Sequence, residues 1–207
     1  YPYSVMVNVE GNRFVDEGAD FRNYTYAKYG KEILKQPNNI AYQIYDAKVR
    51  PILRAEYNLE EATVAEAPTL EALADQLDIN KEQFLQTINE YNAAVQEGEF
   101  NPSDKDGKST IGITPPKSNW AQTISEGPFY AYPVTCGITF SFWGLATTPE
   151  GEVLNTSNEP IEGLYAAGEM IGGIFYENYP GGSGLMSGSV FGKLAGAAAS
   201  HRAQKVR

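Results

Sequence analysis

The stretch GLYAAGEMIGGIFYENYPGGSGLMSGSVFGKLAGAAAS, Gly163 to Ser200, decides how the carboxyl-terminal part of the chain is read. LYAAG is a short apolar strand of small residues, as a strand covered on both faces needs, and Glu169 sits where it ends. EMIGGIFYENYPGGSG is a glycine-rich loop, and from Gly184 the chain reads as a long helix. Gly188, Gly192 and Gly196 recur along that helix with Ala195 and Ala199 beside them. Each glycine costs about 1 kcal/mol in a helix interior. The bare stripe they form suits either a tight internal helix contact or close approach of another backbone. Gly172, Gly173, Gly181, Gly182 and Gly184 let the backbone approach a flat or charged ligand, and the N–H groups opening the helix favour an anion. The spacing in GGSGLMSG is not the dinucleotide fingerprint, and no G-x-G-x-x-G follows a strand anywhere in the chain.

Working outward, FYAYPVTCGITFSFWGLATT from Phe129 is aromatic, β-branched and small, and after Gly151 a second hairpin runs through EVLNTSNEPIEG into LYAAG. The composition change places a boundary near Thr139 to Gly144. Nearer the start, SVMVNVEGNRFVDE alternates Val5, Val7 and Val9 ahead of Gly11, the pattern of a hairpin. A helix over Asn23 to Lys35, a strand at Ile40 to Ile44 and a helical AKVRPILRAEY follow. Thr69 and Asn80 are positioned to cap two further helices, the second presenting Phe84, Ile88, Tyr91 and Val95 on one face before Gly98 ends it. Gly98 to Asn119, rich in Gly, Pro, Ser and Asp, reads as a surface loop or a substrate-side lid.

The formal charge is -10, from 26 acidic and 16 basic residues without a like-charge run, so no nucleic-acid or anionic-membrane footprint is present. One cysteine, Cys136, and one histidine, His201, exclude an internal disulfide and a Cys/His metal site. Cys136 reads as a small buried residue, and His201 as a residue favoured by the helix dipole. No apolar run approaches the about 18 residues that would span a bilayer. The expectation is a soluble, cytoplasmic protein without a metal.

GLYAAGE…GGSGLMSGSVFGKLAG resembles the end of the FAD-binding domain in the fumarate reductase/succinate dehydrogenase flavoprotein superfamily. GNRFVDEGADFRNYTYAKYG resembles the part of that superfamily where a capping (clamp) domain supplies an active-site arginine. With IAYQIYDAKVR and KEQFLQTINEYNAAV the resemblance runs in order over nearly the whole chain, and it is strongest to tricarballylate dehydrogenase members. It implies an α+β chain: a capping domain of mixed strands and helices, residues 1–140, joined to the last strand-loop-helix of an α/β FAD-binding domain, residues 141–207. It further implies that the other half of the FAD domain precedes Tyr1, that the glycine stripe packs on that half, and that these residues alone hold FAD weakly. The implied activity is dehydrogenation or reduction of a C–C bond in a small polycarboxylate, with a separate electron acceptor. Arg22 matches the proton-handling arginine, and Asp20 or Glu17 could bias it or be ordinary surface acids. Glu169 matches the acid that holds the FAD sugar, Gly184 and Leu185 the backbone donors facing the flavin, and Ser183 adds a hydroxyl. Fumarate reductases carry a histidine near Thr139 and Phe140 and an arginine near Tyr179; this chain has neither, leaving hydroxyls such as Thr139 and Tyr179 for the substrate. Phe140, Phe142, Trp143 and Phe175 keep a 3-ketosteroid dehydrogenase-like reading open, and a non-catalytic glycine-rich binding domain is the remaining alternative.

Overall fold

The computed structural model describes residues 1–138 and 140–205, in two compact units, Tyr1–Cys136 and Gly137–Arg207. The first is built on a four-stranded antiparallel sheet of β1 (Val5–Asn8), β2 (Ile40–Tyr45), β3 (Ala65–Ala67) and β4 (Phe129–Thr135), ordered β1-β2-β4-β3. Val5, Val7, Tyr42, Ile44 and Ala131 pack against Leu73 of α2 (Leu70–Ala74) and against Phe84, Ile88 and Tyr91 of α3 (Lys81–Ala94). Met6 and Ala41 face the opposite way, onto Tyr29 and Ile33 of α1 (Arg22–Ile33). Every residue of β1 is therefore buried, and its side chains alternate between two cores rather than between core and water.

The capped helices form where the sequence places them. Thr69 Oγ1 accepts from the Ala72 N–H at 3.1 Å, and Asn80 Oδ1 accepts from the Gln83 N–H at 3.1 Å. The hairpin expected at Gly11 shrinks to a single bridge between Val7 and Arg13, and the full ladder of β1 runs along β2 on its other edge. Gly11 still turns the chain at φ +83°, where an added Cβ would lie 2.5 Å from the Phe84 nitrogen. AKVRPILRAEY forms two short 3-10 turns, Arg50–Ile52 and Ala55–Asn58, instead of a helix; Pro51 has no N–H to continue one.

The segment from Gly98 to Asn119 is not a plain surface loop. Thr110, Lys117 and Asn119 are buried, and the Lys117 ammonium donates to the Ser4 carbonyl at 2.5 Å. Asp106 folds the segment on itself by accepting from the Lys108 and Trp120 N–H groups, each at 2.9 Å. Near Lys117 lies a buried charge pair. Glu17, with 0% of its surface exposed, accepts from Arg13 Nη2 at 2.6 Å and from the Met6 N–H at 2.7 Å. Arg13 also donates to the Pro115 carbonyl at 2.7 Å and stacks over Tyr91.

Burial pushes the Lys117 ammonium down to about 8, against the pull of Glu17. Between that value and the ordinary lysine value near 10.4, the unfolded chain keeps a proton that the folded one has shed. Stability therefore rises with pH in that window. Above about pH 10 the trend reverses, since burial keeps the Tyr29, Tyr45 and Tyr91 hydroxyls protonated after the unfolded chain has lost those protons. Denaturant unfolding from pH 7 to 11 should show a maximum near pH 10, and Lys117→Met should remove the rise while leaving the fall.

The second unit contains the antiparallel hairpin of β5 (Glu152–Leu154) and β6 (Pro160–Tyr165) and the long α4 (Ser183–Lys205). Val153, Ala166 and Ile171 form its core, with Phe191 against them. β6 is exposed along most of its length, not covered on both faces; burial begins only at Ala166. Among the described residues of α4 only the Ala195 side chain is buried, and a Cβ on Gly192 or Gly196 would meet no atom within 4 Å. The expected internal contact for the stripe is thus limited to Gly188, where an added Cβ would lie 3.8 Å from the Gly168 Cα. Among the described residues, no helix is long and apolar enough to cross a membrane.

Candidate functional site

Arg22 is the first residue of α1, and Phe21 ahead of it adopts an extended conformation that turns the chain into the helix. Phe21 packs on Trp120 at 5.4 Å between ring centroids, and Tyr3 meets the same indole edge-on at 5.9 Å. The Trp120 Nε1–H donates to the Asn101 and Asp104 carbonyls at 2.9 and 2.8 Å. Its backbone is held at φ 57°, a conformation costing a bulky residue about 1–3 kcal/mol, of the kind that collects at functional sites. These rings, with Arg22, Leu53, Arg54 and Tyr57, line a cavity of about 300 Å³. Its far wall is fixed from the sheet: the Tyr57 hydroxyl donates to Gln43 Oε1 at 2.6 Å, and the Tyr132 hydroxyl donates to the Tyr57 carbonyl at 3.1 Å. Among the described residues, no carboxylate pairs with the Arg22 guanidinium. An unpaired arginine in a largely aromatic wall is an anion receptor.

The acids considered as its helpers are engaged elsewhere. Glu17 is locked onto Arg13 and buried, while Asp20 accepts from the Phe21 N–H at 2.8 Å and lies 3.5 Å from Lys105. Arg54, Tyr57 and Trp120 were not visible as site residues in the sequence. Nothing in their spacing points to a common cavity; only the packing of the 3-10 turns on the sheet brings them beside Arg22.

The second unit carries the glycine-rich elements. The Leu145 N–H donates to the Met170 carbonyl at 2.7 Å and the Gly172 N–H to the Leu145 carbonyl at 3.0 Å, joining two loops side by side. A Cβ on Gly144 would sit 2.2 Å from the Met170 oxygen, so only glycine permits this crossing. Glu169 lies on a 3-10 turn beyond β6 and accepts from the Ser141 N–H at 2.9 Å. Phe140 stacks on Tyr179 at 4.4 Å, and Phe142 and Phe175 close around them. Phe142, Trp143, Gly173, Phe175 and Tyr176 line an open cleft of about 410 Å³.

Ser183 opens α4, and its hydroxyl donates to the Pro180 carbonyl at 2.6 Å, leaving only lone pairs for another partner. Gly184 lies against the Phe140 ring, where an added Cβ would come to 2.6 Å, and the Leu185 side chain is 77% exposed. The N–H groups of Gly184 and Leu185 belong to the first turn of α4, where helix geometry offers no acceptor. Glu169, Tyr179, Ser183, Gly184 and Leu185 thus fall within one unit, while Arg22 lies in the other; Thr139 lies outside the described residues.

Residues 2–185 match the family model described as FAD binding domain. The chain is 34% identical over 203 residues to NADH:fumarate oxidoreductase of Klebsiella pneumoniae, an alignment covering 97% of this chain and 20% of that protein. The structure of the open conformation of a flavocytochrome c3 fumarate reductase aligns with a TM-score of 0.72 at 30% identity, over 96% of this chain and 32% of that one. The 3-ketosteroid delta1-dehydrogenase of Sterolibacterium denitrificans, in complex with 1,4-androstadiene-3,17-dione, aligns with a TM-score of 0.69 at 26% identity, over 97% of this chain and 39% of that one. The chain therefore spans from about a fifth to two fifths of the length of these three relatives.

Proposed function

The chain belongs to the FAD binding domain family, and from that premise we propose that it is the carboxyl-terminal part of a flavin-dependent oxidoreductase acting on a C–C bond of a small polycarboxylate such as tricarballylate. The family's cofactor is FAD. The residues present fit it: a Cβ on Gly173, Gly181 or Gly182 would meet no atom within 4 Å, so these loops offer open space over bare backbone. In this reading residues 1–140 are the capping domain and residues 141–207 the last segment of the FAD domain. Glu169 holds the ribityl or ribose hydroxyls, and the Gly184 and Leu185 N–H groups, with Ser183 beside them, face the ring edge. FAD, when bound, supplies acceptance of a hydride from a carbon next to an electron-withdrawing group.

The observation that carries the substrate reading is Arg22, which lines its cavity and pairs with no carboxylate among the described residues. Its guanidinium binds a carboxylate through paired N–H donors and orients the carbon beside it. In dehydrogenation the substrate loses one hydrogen as hydride and the neighbouring one as a proton. A guanidinium stays protonated near neutral pH, so Arg22 passes one proton onward as it takes one up. Tyr179 and Thr139 contribute hydroxyl donors to the substrate, and the electrons leave to a separate acceptor. The aromatic group of Phe140, Phe142, Phe175 and Tyr179 supports a second reading, an apolar ketosteroid-like substrate, in keeping with the similarity to a 3-ketosteroid dehydrogenase.

Anaerobic addition of tricarballylate, succinate or a 3-ketosteroid to the full-length, FAD-loaded protein tests this directly. Rapid loss of flavin absorbance with tricarballylate alone is the expected result. Bleaching by the steroid alone would transfer the substrate to the second reading, and bleaching by none would remove both.

A further inference from the structure

The cavity lined by Arg22 holds a second guanidinium. Arg54 precedes the 3-10 turn Ala55–Asn58, and it grips Glu56 with two prongs, Nη2 to Oε1 at 2.6 Å and Nε to Oε2 at 3.2 Å. Both side chains are 55% exposed, and a pair so open to water is worth little, so one carboxylate exchanges readily for another. The charge of Arg22 also falls on the Glu56 carboxyl, which is held below the usual carboxylate range first by its own backbone N–H and then by Arg54. Both arginines act on the Tyr57 hydroxyl as well. Two cations thus act on one acid beside a cavity that Tyr1, Tyr3, Phe21, Leu53 and Trp120 also line. In a chain of net charge -10, this is a local excess of positive charge. The volume, about 300 Å³, lies at the lower end of those that hold small ligands.

We propose that Arg54 is a second carboxylate-binding residue of this cavity: a substrate with two or more carboxylates bridges Arg22 and Arg54, and Glu56 occupies Arg54 until the substrate displaces it. The proposal rests on the reading of the Arg22 cavity as the substrate site and makes Arg54 the residue that selects polyacids over monoacids. Glu56 then acts as an internal competitor. Its removal strengthens substrate binding, whereas loss of an ordinary wall residue would weaken it.

Calorimetric titration of the full-length, FAD-loaded protein with tricarballylate, succinate and propionate provides the test. Tricarballylate should bind at least about tenfold more tightly than propionate, and Arg54→Ala should remove that advantage while leaving propionate unchanged. Glu56→Gln should tighten tricarballylate binding several-fold. Both positions are half exposed, so neither change threatens the fold. Tricarballylate binding that is absent, or indifferent to both substitutions, or weakened by Glu56→Gln, overturns the proposal. Its failure is separable from that of the proposed function. Flavin bleaching by tricarballylate with no effect of Arg54→Ala on binding removes Arg54 alone; Arg54-dependent binding in a protein whose flavin no acid reduces removes the oxidoreductase reading and keeps the site.

Discussion

Arg22→Ala should slow flavin reduction by the substrate about 10³-fold in the full-length, FAD-loaded protein, the middle of the range for a positioned proton-transfer group. The magnitude follows from the two functions proposed for the guanidinium, orienting the acid and carrying the departing proton, being lost together. Lysine should restore little, because a point charge lacks the planar fork that fixes a carboxylate. Thermal stability should stay within a few degrees, since Arg22 is exposed and forms no ion pair among the described residues. Stopped-flow absorbance alongside a melting curve separates the cases. A variant that melts normally and reduces its flavin within about threefold of the parent rate would deny Arg22 the role in proton transfer.

Glu17→Ala should have the largest effect on stability. It would strip the partner from Arg13, whose side chain is 5% exposed, and take away the carboxylate that offsets the buried Lys117. Breaking a buried pair by removing one partner typically costs about 3–5 kcal/mol. Asp20→Ala is the contrasting control, since its 3.5 Å contact with Lys105 is exposed and worth about 0–1 kcal/mol. Urea unfolding followed by tryptophan emission in a Trp143→Phe background, which leaves Trp120 as the reporter, follows this unit. A Glu17→Ala cost no larger than that of Asp20→Ala would mean that water reaches Arg13 readily, and that the pair is not a structural anchor.

Local features were the most legible in the sequence. Thr69 and Asn80 announce their helices because a cap is a short-range device, decided by residues three apart. The face of Phe84, Ile88 and Tyr91 was readable for the same reason, periodicity within one helix. Where partners lie far apart in the chain, the sequence was silent or misleading. Val5 to Asn8 read as a hairpin arm, but a strand 32 or more residues away, Ile40–Tyr45, supplies its ladder. Lys117 read as a loop residue because a buried ammonium depends on a carbonyl at Ser4, which no local pattern reveals. In the candidate site, Arg22 and the Glu169 to Leu185 glycine loop stood out through motifs. Arg54 and Tyr57 did not, because their place in the cavity comes from tertiary packing of irregular turns.

The Lys117 to Ser4 hydrogen bond bears on how the polypeptide is made. It joins residues 113 apart, and the sheet it helps to close receives β4 only after that lysine has been synthesised. During translation β1 and β2 therefore emerge together while the remaining edge of β2 waits for Phe129–Thr135. A nascent two-stranded ribbon carrying Val5, Met6 and Val7 is a ready template for pairing with another chain. Until Phe129–Thr135 is made, that open edge of β2 is where the unit is most exposed to mispairing.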